Sequence, residues 1–506
     1  MLRRIVLVAL LVGFAMPSLM VAQKPTLARP FVPSQRIIGV GKDRESLTAD
    51  QLKNRTELMA RAQWFNIMKH RQYWDAPKRI FETRLWDIIQ SAAKAQGLDP
   101  MRLAARIFLE SAGDCNARSS DAVGCAQFTI SGGIDAGLVK TERKRVRGRW
   151  VRVVTRDDRL NPTLAIPAMA RRIKRQTDVY GRPDFEIAEY HMGYGNMLKA
   201  VSLSTGVHLD PKRTPITAVR QLIADRSLSY PLVYFGNTNR YKPELYRFLK
   251  NLDDSSRSYY FRVEAASQLL AIYRHSKKDY QEIVQANQPK FDGQSELSKR
   301  MWSFYGPSDV AKYGVPDLAA LIQAWGNGRN GRVVAMPNLP DVFGIRIRTS
   351  GMSPIGELTV NPKSRLYNPA NQHWYMGSEP ATLGCLLYVG FELRRLEGAS
   401  FGVVETNSLG RDLVYQRVLG GSNPLAGTQL PTHGMQKAFD LPRKNMAASQ
   451  QSDLVFLLDD LESLGLLSWI PEGAAGQFAY HVVPDPWEWN RKFFENIYKD
   501  AKAFMR

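Results

Sequence analysis

The stretch LESAGDCNARSSDAVGCAQF, from Leu109 to Phe128, joins a glutamate to a short loop bounded by two cysteines. Upstream, Asp99 and Pro100 are typical of a helix start, because Asp caps free N–H groups and Pro fits the first helical position. Gly113 is a typical helix stop. The sequence therefore predicts a helix that begins near Pro100 and carries Glu110 in its last turn.

Glu110 lies on the apolar face of this predicted helix. Leu103 and Ile107 precede it by seven and three positions, so the three side chains share one face. Burial and the negative helix end both disfavour an ionised carboxylate, and they predict a raised pKa. Such a carboxyl is suited to general acid catalysis near neutral pH. The alternative is a structural glutamate that accepts a hydrogen bond from a backbone donor.

Composition indicates a globular protein with a strong positive charge. The 506 residues are 44% hydrophobic and 23% charged, with a formal net charge of +21. The length allows about three domains. The charge suits polyanions such as nucleic acid, acidic lipid surfaces or an anionic cell wall.

The N-terminus is typical of an exported protein. A basic start and an apolar run of about twelve residues predict a signal peptide over residues 1–22. The alternative is a membrane anchor formed by residues 5–22, although this stretch is short for a span. Residues 23–45 are predicted to form a linker. We expect a location in the periplasm or cell envelope, with or without a membrane anchor, and exclude nucleic acid as the partner.

The chain has an odd number of cysteines for an exported protein. Cys115 and Cys125 lie close together in sequence and are predicted to form a disulfide. Cys385 lies in a predicted helix and is expected to be a buried thiol.

The predicted secondary structure changes along the chain. Residues 46–285 are mostly helical in pattern, with one helix expected over residues 258–283, residues 286–335 form a connecting region, and residues 336–495 mix strand-like alternation with helices. The predicted fold class is multidomain, with a mainly α domain followed by an α+β domain. Within residues 46–285 lies a basic insert, residues 140–156, which predicts a two-stranded ribbon turning at Gly148. It is either a solvated hairpin or a binding surface for the carboxylates and other anions of a cell wall.

The first domain resembles the lytic transglycosylases with a goose-type lysozyme fold. The resemblance covers about residues 80–275 and rests on four stretches in the order of that family, namely Glu110-Ser111 with Ser119 and 121–127, Asn161-Pro162, 190–193 and 238–241. It implies that Glu110 protonates the glycosidic oxygen between N-acetylmuramic acid and N-acetylglucosamine, and then accepts the C6 hydroxyl proton to give a 1,6-anhydro product. It also implies substrate contacts, without a cofactor, by Ser119, Gln127, Tyr190 and Tyr241.

A second constellation lies near the C-terminus. His433 and Asp440 are seven positions apart, and His481 follows in a predicted strand. Two His and one carboxylate are a usual protein ligand set for catalytic zinc.

These residues resemble the pattern of zinc D-alanyl-D-alanine peptidases that share the hedgehog-domain fold, over about residues 340–490. Matching positions are His433, Ala438 and Asp440, followed by His481 in a later strand. Phe478 stands where that family has a glutamate base, and Glu472 is the nearest upstream acid. Three alternatives follow for this module: a zinc peptidase that uses another base, a metal-binding but inactive stem-peptide binder, or a structural relic.

Together these features predict an exported peptidoglycan lytic transglycosylase whose second module cuts or binds stem peptides. Its partners would be the glycan strands and stem peptides of peptidoglycan. The alternative is an envelope scaffold or peptidoglycan-binding protein with reduced catalysis.

Overall fold

The computed structural model describes Pro33 and residues 47–68, 70–146, 149–236, 242–252, 254–286, 334–335, 345–347, 377–398, 404–406, 409, 433, 437–443, 446–472, 479–485 and 488–504. The predicted signal peptide, almost all of the linker and most of the connecting region lie outside these residues. Tyr241, the turn at Gly148 and Phe478 also lie outside them.

The first part of the chain is mainly helical. Its helices are α1 (Ala49–Met68), α2 (Ala76–Phe81), α3 (Leu85–Gln96), α4 (Pro100–Ser111), α5 (Ile130–Asp135), α6 (Pro162–Tyr180), α7 (Pro183–Met192), α8 (Tyr194–Thr205), α9 (Ile216–Asp225), α10 (Tyr230–Phe235), α11 (Pro243–Asn251), α12 (Asp254–His275) and α13 (Lys277–Ala286), with a 3₁₀ turn at Arg71–Tyr73. Two short strands, β1 (Ala122–Val123) and β2 (Phe128–Thr129), pair antiparallel.

Helix α12 is central to this part, because α1, α4 and α7 all pack against it. The sequence pattern predicted one helix over residues 258–283, and this prediction was wrong. The helix ends at His275, and a new one begins after Ser276. The Ser276 hydroxyl accepts the Asp279 N–H at 3.1 Å and so caps α13, as Ser does at helix starts.

The basic insert forms an antiparallel hairpin, as predicted. Its strands are β3 (Val139–Val146) and β4 (Arg149–Asp157), paired from Val139 opposite Asp157 to Val146 opposite Arg149. The base of β3 is anchored, since Val139 is buried and α5 packs against the strand.

The second part is α+β. It contains β5 (Val334–Ala335), β6 (Ile345–Ile347), β7 (Gly377–Ser378), α14 (Pro380–Glu397), β8 (Val404–Thr406), β9 (Phe439–Pro442), α15 (Ala448–Ser463), β10 (Leu467–Glu472), β11 (Ala479–Pro484) and α16 (Glu488–Phe504). Strands β10, β11 and β9 form an antiparallel sheet in that order, while β6 and β8 pair in parallel. Cys385 is a buried free thiol in α14, as predicted. The predicted fold class is confirmed at the coarse level of a mostly helical chain with small, mainly antiparallel sheets.

Helix α15 joins the two parts through a buried polar contact. Asp460 pairs with Arg55 of α1 at 2.5 Å, and both side chains are buried. Asp453 accepts hydrogen bonds from the Tyr246 hydroxyl at 2.6 Å and from the Lys250 amine at 2.7 Å, both from α11. Removing one member of such a buried set lowers the stability of the fold, because it leaves the other charge buried without a partner.

Candidate active site and metal centre

Glu110 is held at the end of α4 by local bonds that the sequence dictates. The Asp99 carboxylate caps the helix by accepting the Met101 N–H at 2.9 Å. In the last turn, the single proton of the Ser111 hydroxyl is shared between the Ile107 carbonyl, one turn back, and the Cys125 carbonyl, each 3.1 Å from Oγ. The second of these bonds fixes the cysteine loop against the helix that carries Glu110.

The Glu110 carboxyl has a desolvated environment with one direct donor. The Tyr259 hydroxyl, from α12, donates to its Oε1 at 2.6 Å. Burial raises the pKa of Glu110, and the Tyr259 hydrogen bond and the charges of Arg106, Arg262 and Arg172 lower it without cancelling the effect of burial. The net direction is upward, which favours a protonated carboxyl at higher pH than for an ordinary glutamate.

Arg106 could have neutralised Glu110, since the two are four positions apart on one helix. It is instead occupied by Glu186 of α7. The two side chains are almost fully buried, and the guanidinium contacts both carboxylate oxygens, with Nη1 2.7 Å from Oε1. Glu186 thus pairs directly with Arg106, whose charge acts on Glu110 only through space, and the carboxyl of Glu110 stays a candidate proton donor.

Aromatic and cationic groups surround Tyr259, the residue whose hydroxyl donates to Glu110. Tyr190 stacks on Tyr259 with centroids 5.9 Å apart and planes 15° apart, and His191 lies 4.8 Å from the same ring. The guanidinium groups of Arg106 and Arg172 lie over the Tyr190 ring, at 5.3 and 5.2 Å from its centroid. The predicted substrate residue Tyr190 is therefore linked to Glu110 through Tyr259, which contacts both of them.

The loop after Glu110 is closed by a Cys115–Cys125 disulfide, as predicted. Gly124 has φ +85°, and a Cβ there would lie 2.1 Å from the Arg159 carbonyl oxygen, so only glycine fits. Gln127 has a positive φ of 44° as well, and its side-chain amide donates to the Gly124 carbonyl at 2.8 Å. The disulfide, the close approach at Gly124 and the Gln127 hydrogen bond together constrain the conformation of the loop next to the end of α4.

The residues predicted to contact the substrate differ from one another in exposure and in hydrogen bonding. Ser119 is exposed and bonds within the loop, where its hydroxyl accepts the Ala122 N–H at 3.1 Å. Gln127 is half-buried and uses its amide to hold the loop. Tyr241 lies outside the described residues. No sequence pattern indicated Tyr259, because its partner is 149 positions away and a contact of that range leaves no local pattern.

A cationic cleft of about 920 Å³ opens beside α6. Its lining includes Arg171, Arg172, Arg175 and Arg220, and Glu110 is not part of it. Arg172 connects the cleft to the active-site region through its contact with Tyr190. The cleft therefore adjoins the candidate acid but does not contain it.

His433, Asp440 and His481 converge as the sequence predicted. The Nε2 atom of His433 lies 3.2 Å from Oδ1 of Asp440 and 3.1 Å from Nδ1 of His481, and that Nδ1 lies 2.6 Å from the same Oδ1. All three side chains are buried. Asp440 and His481 stand opposite each other on the paired strands β9 and β11, which fixes their separation.

The three side chains fit a metal ion. Ligands at about 2.1 Å in a tetrahedral site lie about 3.4 Å apart, so the observed separations need only small adjustments to accommodate zinc. The Nδ1 atom of His433 is 2.8 Å from the Leu409 carbonyl, a contact that orients its Nε2 toward the other two ligand atoms. Burial raises the pKa of Asp440, but the imidazoles of His433 and His481 outweigh it and hold that pKa well below its usual range, so the carboxylate is ionised as a ligand must be.

Glu472 ends β10 and pairs in backbone register with Ala479, two positions before His481. In the same register, Ile470 of β10 is the residue opposite His481, two positions before Glu472.

Comparison of the chain with known protein families, with curated proteins and with solved structures finds no match. Among the described residues, no helix combines the length and apolar character needed to cross a membrane. The functional assignment therefore rests on the chemistry of the two sites.

Proposed function

We propose that this protein is an exported lytic transglycosylase of the periplasm or cell envelope that cleaves the glycan strands of peptidoglycan. Its first part would have the lysozyme-like fold that the sequence motifs resemble. The observation that carries the proposal is the Glu110 carboxyl, half-buried at a helix end and held by one tyrosine hydroxyl, while Arg106 of the same helix is paired with Glu186.

In the proposed reaction, Glu110 gives its proton to the glycosidic oxygen as the bond from C1 of N-acetylmuramic acid breaks. The C6 hydroxyl of the same sugar then attacks C1 and returns its proton to the Glu110 carboxylate, giving the 1,6-anhydro product. Tyr259 donates to Oε1 throughout, and its hydrogen bond strengthens when the carboxyl becomes a carboxylate. One carboxyl thus serves as acid and then as base, and no net proton is consumed.

The charges around Glu110 favour this reaction over hydrolysis. Hydrolases place a second carboxylate about 5–10 Å from the acid, as nucleophile or base. The charged groups that act most on Glu110 are three arginines: Arg106, Arg262 and Arg172. Such positive surroundings suit a carboxyl that must spend part of the cycle as an anion.

For the second part we propose a peptidase-like fold and a zinc ion bound by His433, Asp440 and His481. Zinc, when bound, would supply Lewis-acid polarisation of a peptide carbonyl. The chain itself would fix the ligands through the β9–β11 register and the contact of His433 with the Leu409 carbonyl. This module would cut stem peptides or, without a base at the position of Phe478, bind them.

The second candidate function is that of an envelope scaffold or peptidoglycan binder with reduced catalysis. It is favoured for the C-terminal module by Phe478 in the expected position of a base. It is disfavoured for the first module by the retained and desolvated Glu110.

Incubation of the purified chain with sacculi, followed by mass spectrometry of the released fragments, separates these functions. Anhydro ends that form with and without a chelator would support the transglycosylase, and trimmed cross-links that a chelator abolishes would support the zinc peptidase. Fragments with only reducing ends would indicate a hydrolase. Binding to sacculi without release would indicate the scaffold.

A further inference from the structure

The β3–β4 hairpin concentrates exposed apolar and cationic side chains that neither site uses. Trp150 is 69% exposed, and Val151 and Val154 are about 40% exposed. Cations on the hairpin are exposed as well, among them Lys140, Arg143, Lys144, Arg145, Arg149, Arg152 and Arg156. An exposed apolar group among cations usually marks an interaction surface.

The pairing of the two strands brings like charges together. Arg143 lies directly opposite Arg152, and Arg145 lies opposite Trp150. Like charges in direct cross-strand register destabilise a hairpin, so this face is less stable in water than a neutral one would be. An anionic partner would relieve the repulsion between Arg143 and Arg152.

The apolar side chains lie on both faces of β4. Trp150 and Val154 alternate with Val151, so they point to opposite sides of the ribbon, and each is exposed. A two-stranded ribbon has no core of its own that could cover them. A soluble polyanion would engage the arginines and leave the valines in water, whereas a lipid interface would cover both faces.

We propose that the β3–β4 hairpin docks on the surface of a bilayer that contains acidic phospholipids. The arginines contact the lipid phosphates, and Trp150 with the two valines enters the headgroup region, where the indole finds both apolar and polar surroundings. Docking would hold the protein on the membrane face independently of residues 5–22.

The experiment measures co-sedimentation of the full chain with vesicles of phosphatidylethanolamine and phosphatidylglycerol, or of phosphatidylcholine alone. Binding to the acidic vesicles should weaken with salt, because exposed charges are screened. Replacing two cations, Arg143→Gln with Arg152→Gln, should weaken binding roughly 30-fold. The same variant should fold at least as stably as the wild type, because the cross-strand repulsion is removed. Trp150→Ala should weaken binding about tenfold.

Matched controls lie away from the hairpin. Arg84→Gln with Arg226→Gln removes the same charge from exposed helix ends, and Trp489→Ala removes a tryptophan of similar exposure, 61%. Both controls should bind acidic vesicles like the wild type. Wild-type binding by the hairpin variants would overturn the proposal. So would loss of binding to sacculi with vesicle binding retained, which would assign the hairpin to wall anions instead. Docking requires no catalysis, so either result stands apart from the transglycosylase assay.

Discussion

Tyr259→Phe tests the one direct hydrogen bond to the candidate acid. The substitution keeps the ring that stacks between Tyr190 and His191 and deletes only the hydroxyl, which lies 2.6 Å from Oε1 of Glu110. A hydrogen bond to a charged group contributes about 1.5–3 kcal/mol. Because the Glu110 carboxylate forms as the proton leaves, this contribution belongs to the transition state. We therefore expect kcat to fall about 10- to 150-fold.

The pH dependence of activity in Tyr259→Phe is a second test of this hydrogen bond. Glu110 must be protonated to act as acid, so activity is present below its pKa and is lost as the pH rises through it. The Tyr259 hydroxyl stabilises the ionised form, so its removal should raise the pKa of Glu110 further. The alkaline limb of the profile should move to higher pH. Steady-state release of anhydro-muropeptides as a function of pH measures both effects.

Tyr260→Phe is the matched control. Tyr260 is the next residue on α12 and points to a different side of the helix, so its loss of a hydroxyl should leave kcat and the pH profile unchanged. Wild-type kcat and an unmoved alkaline limb in Tyr259→Phe would refute the role assigned to this hydrogen bond.

Three further changes address other parts of the structure. Replacing Cys115 and Cys125 with Ser should lower the free energy of unfolding by roughly 2–3 kcal/mol, measured by urea titration, because the unfolded loop is no longer constrained. His433→Ala should abolish stoichiometric zinc binding, measured by elemental analysis. In the presence of zinc, the variant should also melt at a lower temperature than the wild type, since metal bound only by the folded state stabilises it. Asp453→Ala should destabilise the contact between the two parts by about 3–5 kcal/mol, since Lys250 loses its buried partner; an unchanged melting temperature would contradict this.

The local features of both sites could be predicted from the sequence, because each depends on short-range chemistry. The Asp99 cap and the apolar spacing up to Glu110 specify α4 within a dozen residues, and the structure confirms both the helix and the upward direction of the Glu110 pKa. The pairing of Cys115 with Cys125 follows from their proximity in the chain. The convergence of the metal-ligand set was also predicted, through its spacing and its resemblance to a known pattern.

Contacts between distant segments that follow no known motif could not be predicted. Tyr259 and Glu186 control the state of Glu110, yet both come from helices far along the chain, and a single sequence carries no sign of that pairing. The same holds for the buried contact of Arg55 with Asp460, which packs the two parts together. The break at Ser276 was missed for a different reason, because an apolar periodic pattern continues through a residue that caps a new helix.

Mass spectrometry of sacculi digested by wild type, Glu110→Gln and Glu264→Gln decides whether Glu110 is the catalytic acid. Glu264 is a matched control, since it is a half-buried glutamate whose pKa burial also raises and whose partner is Arg102, outside the site. Loss of a general acid costs about 10²–10⁴-fold in rate. We expect that Glu110→Gln folds and binds sacculi but releases anhydro-muropeptides at least 100-fold more slowly, while Glu264→Gln releases them at the wild-type rate. Release by Glu110→Gln at close to the wild-type rate would contradict the assignment of Glu110 as the catalytic acid.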